Sequence, residues 1–128
     1  MFDTQNKTLH YSNAGHAPLF YGNAAEGSCE RLKFYSPSLC LSPDSRYEER
    51  EIPLRAGDIF FIYTDGVTET FNAAGKMLSE EGLFQEIKSL IGETPDNIVK
   101  RLTDTLSKFR GAAPQNDDIA MIAVGVES

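Results

Sequence analysis

Positive charge is scarce in this chain. Lys and Arg together number 12 against 19 Asp and Glu, leaving a formal net charge of −7. That balance argues against nucleic acid as a partner, because phosphate backbones call for clustered Lys and Arg. It suits cation binding, or plain solubility. Long apolar runs are also missing: none approaches the roughly 20 residues that span a bilayer, and Met1–Lys7 has no apolar signal core. We therefore expect a cytoplasmic protein, or the cytoplasmic piece of something larger, with no membrane contact from this segment. Cysteine is limited to Cys29 and Cys40, which form no C-x-x-C pair and have no His at zinc-ligand spacing. Two reduced thiols are expected.

At 128 residues the length fits one domain with a core of its own. The chain is organised around Gly57–Phe71. Ile59–Tyr63 is a run of β-branched and aromatic residues that reads as a strand buried on both faces. Before it, Lys7–Asn13 alternates as a half-buried strand, and Leu19–Tyr21 resumes after a Gly-containing link, which suggests an antiparallel hairpin. Residues 23–30 read as a loop, Arg31–Tyr35 as a short strand, Ser36–Ser45 as irregular and Tyr47–Leu54 as a polar edge strand. After Phe71 the period changes. Ser79 can cap a helix with Glu80 and Glu81 in its first turn and an apolar stripe of Leu83, Phe84, Ile87, Leu90 and Ile91, stopping at Gly92. A second helix opens with Thr94 as N-cap and Pro95 in the first position, and buries Ile98, Leu102, Leu106 and Phe109. Ile119–Val126 reads as a second apolar strand inside a sheet. Segregated strands and helices, with short early links, predict an α+β fold with mostly antiparallel sheets.

Two acidic turns carry the chemistry. Asp65 follows a core strand and precedes Gly66, whose missing side chain allows a sharp turn or a close backbone approach. Asp117 and Asp118 precede the last strand. If the two strands are antiparallel neighbours, these ends lie on the same side of the sheet. Converging carboxylates repel unless protonated or neutralised by a cation. With neither Cys nor His placed to help, an oxygen-loving Mg²⁺ or Mn²⁺ fits better than zinc. The same residues would also serve as two solvated turns. His16 could act as a ligand or an acid–base group, but a local turn-holding role is the simpler reading.

Three segments in the same order resemble the signatures of one family: Tyr11-Ser12-Asn13-Ala14-Gly15-His16-Ala17-Pro18, Gly57–Glu69 with its Thr64-Asp65-Gly66 centre, and Asn116-Asp117-Asp118-Ile119-Ala120. The family is the SpoIIE-like branch of the metal-dependent protein serine/threonine phosphatases (PPM, or type 2C). The resemblance runs through nearly the whole chain. It implies part of an α-β-β-α sandwich and hydrolysis of phosphoserine or phosphothreonine by a water activated by Mn²⁺ or Mg²⁺. It implies metal binding by Asp65 and Asp117, with Asp118 a weaker candidate and Gly66 giving its backbone beside the metal. The implied partners are phosphorylated regulators such as anti-sigma-factor antagonists in bacterial partner switching.

The departures from that pattern are specific. The family's further aspartates, in a Gly-Asp-x-x-Gly-His-Gly type of motif, have no counterpart in this sequence. The chain is thus expected to be a single domain, residues 1–128, forming the C-terminal part of such a phosphatase domain, inactive alone and with weak metal binding. The alternative is a non-catalytic phosphatase-like module that binds a regulatory protein. Either way, strand edges and apolar faces left uncovered lead us to expect a homodimer. Cys40 stands where the family commonly has Gly, and Ala120 where it usually has Thr.

Overall fold

The computed structural model describes residues 1–33 and 36–127. The predicted strand over Arg31–Tyr35 thus falls partly outside the described residues, at Phe34 and Tyr35. The order of elements is β1 (Phe2–Asp3), β2 (Thr8–Ser12), β3 (Leu19–Asn23), β4 (Ser28–Leu32), β5 (Glu49–Pro53), β6 (Ile59–Tyr63), α1 (Asp65–Thr68), α2 (Ser79–Ser89), α3 (Pro95–Arg110) and β7 (Met121–Gly125). They form a three-stranded sheet, β1-β2-β5, and a four-stranded sheet, β4-β3-β6-β7, with every pairing antiparallel. The two sheets and the helices stack as layers, in agreement with the α+β expectation.

β6 organises the stack because its side chains alternate between two cores. Ile59, Phe61 and Tyr63 join Phe20 of β3 and meet Leu83, Ile87 and Leu90 of the α2 region and Ile98, Leu102 and Leu106 of α3. Phe60 points the other way, into a smaller core with Leu9 of β2, Leu19 of β3 and Leu32 of β4, against which Ile52 of β5 packs. Tyr21 stacks on the Phe60 ring at 5.0 Å, and Phe2 meets it edge-on at 5.5 Å. The entry into β6 is fixed by the buried Asp58, whose carboxylate accepts from the Arg55 amide (2.9 Å) and the Tyr21 hydroxyl (3.2 Å).

Several expectations are corrected. β2 and β3 do not form a hairpin; they belong to different sheets. Leu9 and Leu19 both face the space between the sheets, so the link must cross from one layer to the other. Asn13 holds that crossing: its Oδ1 accepts from the His16 amide (2.7 Å) and its Nδ2 donates to the His16 carbonyl (2.9 Å). β3 pairs instead with β4, which begins at Ser28, inside the predicted loop. β7 lies at a sheet edge and not within it. Ile122 is 56% exposed, beside its cross-strand neighbour Ile62 of the interior strand β6 at 38%. β1 and the short α1 carried no periodicity to find them by.

Both helices form where expected, but α2 has Leu78 as its N-cap residue and ends at Ser89, before the expected Gly92, and Phe109 of α3 is only half-buried. Thr94 caps α3, its Oγ1 accepting from the Asn97 amide (3.3 Å), with Pro95 at the first position. Ser79 Oγ accepts from Gly82 (3.3 Å), and Arg31 ties β4 to α2 by pairing with Glu80 and Glu81 and covering the Phe84 ring. Both thiols are free, and burial pushes that of Cys29 up to about 11. Cys40 has a φ of 65°, the left-handed region where a side chain costs energy and Gly does not.

Phe61→Ala is expected to cost about 3–5 kcal/mol in urea unfolding, whereas Ile122→Ser stays within roughly 0.5 kcal/mol. Equal effects would remove β6 from the centre of the core. Cys40→Gly is expected to stabilise by roughly 0.5–1 kcal/mol, as relief of left-handed strain outweighs the added freedom of the unfolded chain; a lower unfolding midpoint would contradict this.

Candidate metal centre

β6 and β7 pair in a register that sets Tyr63 opposite Met121. The C-terminal end of one strand thus lies beside the N-terminal end of the other, and the two acidic turns leave the sheet together. Their junction is made by Thr64 and Ala120. The Thr64 amide donates to the Ala120 carbonyl (3.0 Å), as in the ladder. The Thr64 carbonyl, however, accepts from the Val67 amide (3.0 Å) and opens α1. The Ala120 amide donates instead to Thr64 Oγ1 (3.0 Å), and that hydroxyl donates to the Asp118 carbonyl (2.9 Å).

Asp65, the first residue of α1, is exposed, and its Oδ1 accepts from the Gly66 amide (3.0 Å). Gly66 is buried against the other turn: a methyl group added to it would drive into the carbonyl oxygen of Asp118. On the far side, Asp117 Oδ1 accepts from the Asp118 amide (2.7 Å), and the Asp117 carbonyl accepts from Gln115 Nε2 (2.9 Å). Gln115 is in turn held by Arg110, whose Nη1 donates to Gln115 Oε1 (3.0 Å). Tyr63 takes no acid–base part, because burial raises its phenol further above its ordinary value.

The structure therefore brings Asp65, Gly66, Asp117 and Asp118 together. His16 takes the local role: its Nδ1 lies 3.0 Å from the Ala17 carbonyl, within the turn that Asn13 holds. In kind, the donors fit a hard divalent cation. They are exposed carboxylates on two anchored turns, and none of the ion pairs among the described residues uses them. In number the set is short, since no three His, Cys, Asp or Glu side chains among the described residues gather as a ready metal cluster. Thr64 and Gln115 escaped sequence reasoning, which weighed titratable groups and glycine but gave no weight to a hydroxyl or an amide that binds only backbone. Thr64 stands in the Thr64-Asp65-Gly66 signature, but nothing there marks its hydroxyl as the link to the other turn, and Gln115 carries no pattern that singles it out.

Comparison with known proteins identifies the family and the fold. The sequence profile of the family described as Stage II sporulation protein E (SpoIIE) matches residues 1–127. Protein IcfG of Synechocystis sp. (strain ATCC 27184 / PCC 6803 / Kazusa) is 30% identical over 126 residues, 97% of this chain and 19% of that protein. Phosphoserine phosphatase RsbU of Bacillus subtilis (strain 168) is 28% identical over 114 residues, 89% of this chain and 33% of RsbU. Among solved structures, the SiaA-PP2C domain of Pseudomonas aeruginosa superposes with a TM-score of 0.81 at 20% identity, covering 98% of this chain and 49% of that one. The phosphatase domain of SpoIIE from Bacillus subtilis (Mn presoaked) gives 0.74 at 17% identity, covering 99% and 54%. These likenesses show the fold. The chain spans about half the length of the solved domains and a third or less of the curated relatives.

Gly66→Ala is expected to force the turns apart at a cost of about 1–3 kcal/mol, with faster amide exchange at Ala120. A variant of unchanged stability and exchange would show that the Gly66–Asp118 contact does not hold the turns together.

Proposed function

This chain belongs to the SpoIIE family, and from that membership we propose that it is the C-terminal part of a metal-dependent phosphoserine/phosphothreonine protein phosphatase domain. The observation that carries the reading is the meeting of the Asp65 turn and the Asp117–Asp118 turn at adjacent strand ends, joined by backbone contact and by the Thr64 hydroxyl, with no ion pair to these carboxylates among the described residues. Asp65 and Asp117 serve as metal ligands in this reading, and Asp118 contributes less. A Mn²⁺ or Mg²⁺ ion held by these residues would supply activation of water and neutralisation of phosphoryl oxygens. The chain's own part is to fix two carboxylates on a rigid strand pair and, at Gly66, to keep the space between the turns clear of a side chain. A phosphorylated regulator such as an anti-sigma-factor antagonist is the proposed substrate; RsbU, a phosphoserine phosphatase by name, supports that class.

The short donor set favours an isolated chain that is inactive: the remaining carboxylates belong to a motif absent from these residues. One observation favours the second reading, a non-catalytic module that binds a regulatory protein. Ile62 and Ile122 lie side by side and exposed on the face that the three-stranded sheet covers elsewhere, a surface that a protein partner or a second copy could bury.

In the full-length protein, Mn²⁺-dependent hydrolysis of a phosphoserine peptide is expected. Asp65→Asn and Asp117→Asn should each lower it by more than the roughly 100-fold typical of lost outer-shell partners. Residues 1–128 alone should show no turnover and bind Mn²⁺ only in the roughly millimolar range. Turnover by the isolated chain would refute the partial-domain reading, and turnover indifferent to both substitutions would refute the metal assignment.

A further inference from the structure

We propose that Thr64 and Gln115 are positioning residues that set the spacing of the two acidic turns from opposite sides. The inference rests on the reading of Asp65 and Asp117 as metal ligands, but it concerns residues that touch neither metal nor substrate in that reading.

The argument begins with the ladder. An antiparallel pair that continued one step past Tyr63 and Met121 would use the Thr64 carbonyl as acceptor for the Ala120 amide. That carbonyl is engaged by Val67 at the start of α1. A non-hydroxyl residue at position 64 would leave the Ala120 amide without this acceptor. Thr64 Oγ1 takes the bond, and its own proton goes to the Asp118 carbonyl. One hydroxyl thus lets β6 end and turn into α1 while keeping the second acidic turn attached. Ser and Thr alone among small side chains both donate and accept in this way.

Gln115 holds the same turn from the opposite side. Its amide donates to the Asp117 carbonyl, and Arg110, at the end of the long helix α3, fixes its Oε1. The residues at 117 and 118 are therefore tied through consecutive carbonyls, one to β6 and one to α3. The carboxylates stay exposed, Asp65 and Asp117 each with one oxygen held by the next residue's amide. Two further threonines secure the first turn: Thr68 Oγ1 donates to the Asp65 carbonyl (3.0 Å) and the buried Thr70 Oγ1 to the Gly66 carbonyl (2.9 Å). Thr64 alone of the three crosses between the turns.

The test compares Thr64→Val, which keeps the branched shape, with Thr64→Ser, which keeps the hydroxyl, and adds Gln115→Leu, all in the full-length protein. In metal-free protein, amide exchange at Ala120 should quicken about tenfold or more in Thr64→Val and recover in Thr64→Ser. Mn²⁺ affinity by calorimetry should fall about 10–100-fold in Thr64→Val and Gln115→Leu and remain near the parent value in Thr64→Ser. Asp65→Asn serves as the reference. If it weakens Mn²⁺ binding while Thr64→Val and Gln115→Leu change neither exchange nor affinity, the positioning proposal is overturned and the metal reading stands. If Asp65→Asn leaves Mn²⁺ binding unchanged, the metal reading fails, and the proposed purpose of Thr64 and Gln115 fails with it. Loss of affinity in Thr64→Ser equal to that in Thr64→Val would also overturn the proposal, since the hydroxyl would then not be the cause.

Discussion

The contact between Gly66 and the Asp118 carbonyl is the constraint on which the acidic surface depends. Two strands can be neighbours for their whole length and still let their loops diverge. Here divergence is prevented because the first turn has no side chain on the side where the second one passes. Backbone lies on backbone, and the Thr64 hydroxyl ties the two together. Side-chain packing could not do this without filling the space between Asp65 and Asp117.

That junction is rigid because β6 is. The strand is gripped from both faces: Ile59, Phe61 and Tyr63 by the helical layer, Phe60 by the second sheet. Each face draws on elements distant in sequence, so the position of Asp65 is set by α2, α3 and β3 as much as by its own neighbours. β7 enters the same core through Met121 and Ala123 while leaving Ile122 in the open. Its place at the edge weakens nothing at the site, because its N-terminal end is fixed by Thr64 and Gln115 and not by a further strand.

What the sequence made legible follows from which forces act locally. Both long helices are legible because a 3.6-residue stripe lies within one element, joined in α3 by a cap and a first-position Pro, as at Thr94, Pro95 and Ile98–Leu106. β6 is legible because a strand with cores on both faces has an unbroken apolar run, although the same run hides that Ile62 is exposed. The hairpin of β2 with β3 was misread because a short Gly-containing link has the same composition whether it reverses a strand or crosses between sheets. Only the shared inter-sheet position of Leu9 and Leu19, a tertiary fact, decides between them. The edge position of β7 was hidden for a like reason, since Ile122 looks in sequence like any buried residue. The convergence of Asp65 with Asp117 and Asp118 followed from a single assumption, antiparallel neighbours, and the register of Tyr63 with Met121 supplies it.

The acidic turns differ from the rest of the molecule in how they relate to stability. The carboxylates are exposed, in a chain that already carries a net charge of −7, and none is part of either hydrophobic core. Gathering like charges costs free energy, modestly so at a solvated and screened surface. The structure meets that cost with backbone hydrogen bonds, and among the described residues no Lys or Arg forms an ion pair with these carboxylates. Arg110, the basic residue tied into the second turn, bonds the neutral Gln115. A guanidinium in direct contact with Asp117 would settle the repulsion permanently and compete with any cation. An amide between them transmits position without neutralising charge. The site is thereby left with anchored oxygens and an unmet negative potential, the condition under which a doubly charged ion gains most from binding.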